Sequence, residues 1–271
     1  MTFLKSVVLA FSMFSRIPMP RVAWNEKNLR YLLCAFPLVG VAIACVCGLW
    51  FFVCAWLVQR GGRTIPLHLS ALVFTLIPVL VTGGIHLDGF MDTCDALASH
   101  ADREKKLAIM QDSHAGAFAV LGCVLYFLSY AVLLYEWCDY FFGASSAHRF
   151  VNFFAHCRAF FPVLLPFVLS RLLSAFSVAT FPIAKDSGLV RTFSDASAKR
   201  FTALWCACWF MAISVAAVVL FGRSGEVVVC AQLAVFAWYA VMTKRNFGGI
   251  TGDTAGWFVQ MAELASLVAI F

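Results

Sequence analysis

The 271-residue chain is 62% hydrophobic and only 13% charged, about half the roughly 25% charged content of a soluble domain. It cannot cover a water-facing surface with polar groups. That excludes a soluble globular enzyme and leaves an all-α, polytopic membrane bundle built from apolar runs of near-bilayer length. The net charge of +6 then speaks to membrane orientation and anionic lipid, with no nucleic-acid partner.

Residues 1–30 carry Lys5, Arg16, Arg21, Lys27 and Arg30 against Glu26. The apolar run Val7–Phe14 is short for a cleavable signal peptide. Ser15-Arg16-Ile17-Pro18-Met19-Pro20 cannot continue as regular helix, because each proline removes a donor and fixes φ. The region therefore reads as an interfacial arm. About seven spans follow, near 31–58, 66–84, 117–135, 150–169, 201–221, 227–242 and 255–271. Between spans 2 and 3, residues 102–116 suggest an amphipathic helix on the membrane surface, and the loop 170–200 is polar and charged. Spans 5 and 6 meet in a tight turn at 222–225. Most of the 11 cysteines fall inside apolar helices without paired CxxC spacing, so they read as small hydrophobes. The whole chain reads as a single transmembrane catalytic domain.

Placing the N-terminus in the cytoplasm puts fifteen of the twenty Lys and Arg on the inner side, with Arg60, Arg63, Arg149, Arg158 and Arg223 opposite. The loops that carry chemistry then all face the cytoplasm.

The stretch that carries chemistry is Gly83-Gly84-Ile85-His86-Leu87-Asp88-Gly89-Phe90-Met91-Asp92-Thr93-Cys94-Asp95. It holds three of the chain's 14 acids in eight residues. On a helix Asp88, Asp92 and Asp95 share one face, where like charges repel and each acid near a bilayer centre costs about 2.5–3.5 kcal/mol. A divalent cation compensates most simply, and Mg²⁺ suits oxygen ligands. His86 could ligate, relay a proton or simply lie at the interface.

A second stretch is Gly248-Gly249-Ile250-Thr251-Gly252-Asp253, at the same membrane face. Gly249, Thr251 and Gly252 could turn backbone N–H groups toward an anion at a helix start. Asp253 could join the acids or only cap its helix. Asp112 and Ser113 could belong to the cluster or stay solvated. Arg171, at the expected end of span 4, could clamp a phosphate or snorkel as a topology anchor. Glu263, the ninth residue of span 7, is an intramembrane acid that must be functional or tightly paired. Together these residues indicate a Mg²⁺-dependent membrane enzyme acting on a phosphate-bearing substrate.

These blocks, together with Asp102-Arg103, Ile109-Met110-Gln111-Asp112-Ser113 and Ser170-Arg171, resemble the adenosylcobinamide-GDP ribazoletransferase (cobalamin synthase) family, in its order and over nearly the whole chain. The resemblance implies transfer onto α-ribazole or its 5′-phosphate, with GMP released and adenosylcobalamin or its 5′-phosphate formed. It implies Mg²⁺ on Asp88, Asp92 and Asp95, with Asp112 or Asp253 completing the site or acting as base, and Arg171 on a phosphate. It further implies a multi-pass protein of the bacterial inner membrane; a homo-oligomer is compatible with it. His114 stands where the family usually has Arg, which makes a phosphate contact at Ser113–His114 weaker or pH-dependent. Ala96, Gln260 and Val190 also depart from the family pattern. Two rivals are a CDP-alcohol phosphotransferase, whose Asp-Gly…Ala-Arg pattern is incomplete here, and a transporter, which would want acids near the midplane.

Overall fold

The computed structural model describes residues 2–61, 65–142 and 153–271. Arg63 and Arg149, used in the orientation argument, lie outside them. The described residues form helices and the links between them, with one isolated β-bridge.

The N-terminal arm contains α1 (Thr2–Phe14), α2 (Glu26–Leu29) and α3 (Leu32–Ala35). Helix α1 stops before the Ser-Arg-Ile-Pro-Met-Pro piece, as proline chemistry demands. Then come α4 (Pro37–Gly61), α5 (Leu67–Thr82), α6 (Ile85–Ala98), α7 (Arg103–Ile109) and α8 (Ala117–Phe142). The second half has α9 (Phe153–Thr180), α10 (Leu189–Ala196), α11 (Lys199–Phe221), α12 (Arg223–Asn246) and α13 (Gly252–Ile270).

Five helices, α4, α8, α9, α11 and α12, are long and apolar enough to cross a bilayer; the count reaches six if α5 and α6 form one bent span. Length and composition alone do not reach the expected seven, for two physical reasons. Helix α5 has 16 residues, about 24 Å at 1.5 Å per residue, short of a ~30 Å core. It breaks at Gly83 (φ +70°) and Gly84 (φ +82°), and α6 leaves at 95° to it. Side chains strongly disfavour two consecutive left-handed residues, and glycine permits them. The arm braces this corner: the Arg16 N–H donates to the Val81 carbonyl at 2.8 Å, and the Arg16 side chain lies against Gly83. Helix α13 is the other case. It packs on α6, α9 and α12 and is buried along most of its length. A helix surrounded by protein can keep Gln260 and Glu263 where a lipid-facing one could not.

Span 4 also differs. Helix α9 runs through Ser170-Arg171 to Thr180, because the Arg171 charge is neutralised inside the bundle rather than at its end. Arg171 Nη1 donates to Glu263 Oε1 at 2.7 Å and to the Phe167 carbonyl at 2.8 Å, with both ionic side chains 1% exposed. The tight turn between α11 and α12 is the single residue Gly222.

Candidate active site

The site forms where the start of α13 crosses α6. A Cβ on Gly89 would lie 2.7 Å from the Asp253 Cα, and one on Gly256 would lie 2.8 Å from the His86 carbonyl oxygen. The two backbones therefore touch at glycines on both helices, and this sets Asp88 and Asp92 beside Asp253. Burial, with the fields of Asp88, Asp253 and Asp95, pushes the Asp92 carboxyl up to about 6 against the pull of Lys185. Asp253 is also raised, chiefly by burial, with Lys185 opposing. The uncompensated like charge inferred from the triad thus includes Asp253 as well.

Asp95 has a different environment. Its two oxygens accept the backbone N–H groups of Gly116 and, at 2.8 Å, Ala119, so it caps the start of α8. The expected three-ligand cage of Asp88, Asp92 and Asp95 is not preformed, and among the described residues no three His, Cys, Asp or Glu groups converge to hold a metal. The donor set still fits Mg²⁺, which binds through one or two carboxylates, waters and substrate phosphates rather than an all-protein cage.

The glycine-rich turn is used mainly for packing and capping. Thr251 is the N-cap of α13 and shares a reciprocal pair with Thr254: its hydroxyl accepts the Thr254 N–H at 3.1 Å, and its own N–H donates to Thr254 Oγ1 at 2.8 Å. Asp253 is therefore not the cap. The Gly249 N–H donates to the Thr243 carbonyl, and a Cβ there would meet the Pro182 carbonyl oxygen at 2.5 Å. Of the three expected anion-binding residues, Gly252 lines both cavities described below and Thr251 lines the smaller one.

Lys185 is the residue the sequence did not single out. Ile183 and Ile250 form a parallel bridge, with the Ile250 N–H donating to Pro182 at 2.8 Å and the Ala184 N–H to Ile250 at 2.9 Å. This pairing brings Lys185 to the wall of a cavity that Asp253 also lines, where its charge acts on the Asp253 carboxyl. Nothing in the local pattern of residues 181–188 signals it.

Two cavities adjoin the cluster. One of about 330 Å³ lies among α1, α3, α6, α9, α10 and α13, with apolar walls and with His86, Asp88 and Asp253 in its lining. The other, about 240 Å³, is polar and includes Gln111, Lys185, Arg191 and Thr251. They share Leu189, Val190, Gly252 and Asp253. His86 is 6% exposed, and neither ring nitrogen has a hydrogen-bond partner.

Three expected site residues stand apart. Asp112, Ser113 and His114 occupy an exposed turn before α8. The His114 N–H donates to Asp112 Oδ1 at 3.0 Å, and its Nδ1 lies 2.7 Å from the same oxygen, which holds the Asp112 carboxyl below its usual range. Asp112 is not among the charges acting on Asp92 or Asp253. Arg171 also stands apart, held within the bundle by Glu263 and the Phe167 carbonyl.

Fold and site together define a multi-pass helical membrane protein with a carboxylate cluster beside paired apolar and polar cavities. Residues 6–271 match the family model described as CobS, cobalamin-5-phosphate synthase. Similar proteins named adenosylcobinamide-GDP ribazoletransferase include that of Lachnoclostridium phytofermentans, 35% identical over all of this chain and 94% of the relative. That of Clostridium botulinum strain Alaska E43 is 29% identical over 97% and 95%, and that of Leptothrix cholodnii is 32% identical over 95% and 91%. No solved structure matches the chain. The chain belongs to the cobalamin-5-phosphate synthase family.

Proposed function

We propose that this chain joins α-ribazole, or its 5′-phosphate, to adenosylcobinamide-GDP. The 5′-hydroxyl forms a bond to the cobinamide-side phosphorus, the bond to GMP breaks, and adenosylcobalamin or its 5′-phosphate results. The observation that carries the reading is the full-length family match landing on the Asp88–Asp92–Asp253 cluster.

Asp88 and Asp92 would hold Mg²⁺, which would neutralise charge on the phosphate oxygens. Lys185 is set to pair with a phosphate oxygen. Asp253, raised by burial, is the better placed of the two candidate bases to take the hydroxyl proton. Such chemistry asks mainly for positioning and charge neutralisation. The reading includes one catalytic domain across residues 1–271, in the bacterial inner membrane with the N-terminus and site loops cytoplasmic. Glu263, the one feature that favoured a transporter, is tied to Arg171.

The test is to purify the protein in detergent, supply adenosylcobinamide-GDP, α-ribazole and Mg²⁺, and follow GMP release and corrinoid product. Folded protein that makes neither would overturn the reading.

A further inference from the structure

The short helix α7 carries Arg103, Glu104, Lys105 and Lys106, and the last of these is not on the surface. Lys106 is 9% exposed, and its ammonium donates to Asn246 Oδ1 at 2.8 Å. The Asn246 amide is fixed in turn, because its Nδ2 donates to the Met242 carbonyl at 3.0 Å. Asn246 is the last residue of α12, where the helix dipole favours a cation. One helical turn earlier, Arg103 covers the bend that follows α12. A Cβ on Gly248, at φ +74°, would overlap its guanidinium. Burying an ammonium against a neutral amide costs free energy, yet neither Lys106 nor Arg103 lines the cavities beside the acid cluster.

The bend under α7 is the one that carries the site. Its Gly249 packs on residues 182–184, and its Ile250 exchanges hydrogen bonds with Pro182 and Ala184, just ahead of Lys185. Thr251 then caps α13 and sets out the turn that bears Asp253. At its other end α7 packs on α6, the helix of Asp88 and Asp92. We propose that α7 is a clamp between the two acid-bearing elements, and that Lys106 is a positioning residue acting through Asn246 on Lys185 and Asp253. Without its ammonium, Asn246 Oδ1 loses its partner and the glycine bend, the freest backbone in the region, is released. The 183–250 bridge then slips and Lys185 and Asp253 lose their fixed separation. The catalytic role rests on the ribazoletransferase reading; the clamp itself does not.

Two measurements on the full-length protein in detergent test this. The first needs no turnover. In Lys106→Met, peptides covering 246–253 and 181–186 should exchange amide hydrogens at least about tenfold faster, with α4 and α8 protected as in the parent. The second reads positioning. In Lys106→Met, kcat/KM for adenosylcobinamide-GDP should fall at least about tenfold while the KM for α-ribazole stays put. Lys106→Arg, which keeps a donor for Asn246, should recover most of that loss. A size-exclusion profile like that of the parent shows that a variant is folded. If Lys106→Met is not, Asn246→Leu, which removes the acceptor, carries both measurements. Parent-like exchange would overturn the clamp. Faster exchange with parent-like kcat/KM, or a loss that Lys106→Arg does not recover, would overturn the positioning role and leave the enzyme reading intact. Parent protein that makes no product would sink the enzyme reading, and the exchange result would still decide the clamp.

Discussion

Asp92 is the residue whose surroundings say most about the site. Its carboxyl, near 6, shares a proton-binding range with ordinary working pH. In the metal-free protein the folded state holds that proton more tightly than the unfolded chain does. Its fold should therefore gain stability as pH falls from 7 toward 5, read as a rising midpoint of thermal unfolding. Mg²⁺ must displace the proton, so the Mg²⁺ concentration for half-maximal turnover should rise as pH falls below about 6, approaching tenfold per pH unit for one proton. A Mg²⁺ requirement flat from pH 5 to 8 would contradict this. Asp95 separates from Asp92 by the same logic. Asp92→Asn should abolish turnover with membrane insertion intact. Asp95→Asn should lower stability by about 1 kcal/mol, as expected for a helix-start carboxylate, and should reduce turnover less than Asp92→Asn does. The acidic stretch could be recognised in the sequence because charge is rare in this chain. The division of labour within it could not, since Asp95's partners lie 21 and 24 residues further on.

Helices α9 and α13 are held by Arg171 and Glu263, a pair with 1% exposure on both sides. Removing one partner leaves a buried charge, so Glu263→Ala should cost about 3–5 kcal/mol, whereas Arg171→Met with Glu263→Leu should recover most of it. Chemical or thermal unfolding in detergent measures both; additive losses in the double variant would mean the pair is not coupled. The sequence showed that Glu263 needed a partner. It could not show that the partner was Arg171, because the two are 92 residues apart, and the same Arg read in isolation looked like the end of a span. Elements with local signals were easier to place. The proline-rich break after α1 and the α11–α12 turn followed from backbone chemistry; the polar 170–200 segment did so only beyond Thr180, where α9 ends and the short helix α10 follows. Lys185 did not, because its position depends on a bridge between residues 183 and 250.

Across the whole molecule, the site occupies the end of the bundle where α5 bends into α6 and α13 begins. With that end cytoplasmic, α13 runs away from it and delivers residue 271 to the opposite side. Alkaline phosphatase fused after Phe271 should be active and green fluorescent protein at the same point dark; the reverse pattern would invert the orientation. The helical membrane class followed from composition alone, whereas the number of spans did not. Hydropathy marks apolar length, and it cannot separate a helix facing lipid from one enclosed by its own protein.

That enclosed helix has a consequence for biosynthesis. Every element α13 packs against precedes it in the chain, so a ribosome feeding the membrane completes the periphery before the hub. Helix α6 must wait, with its acids lacking both Lys185 and their neighbour Asp253, until α13 inserts between its earlier companions. A stop codon ahead of residue 252 would therefore remove the helix on which α6, α9 and α12 all pack.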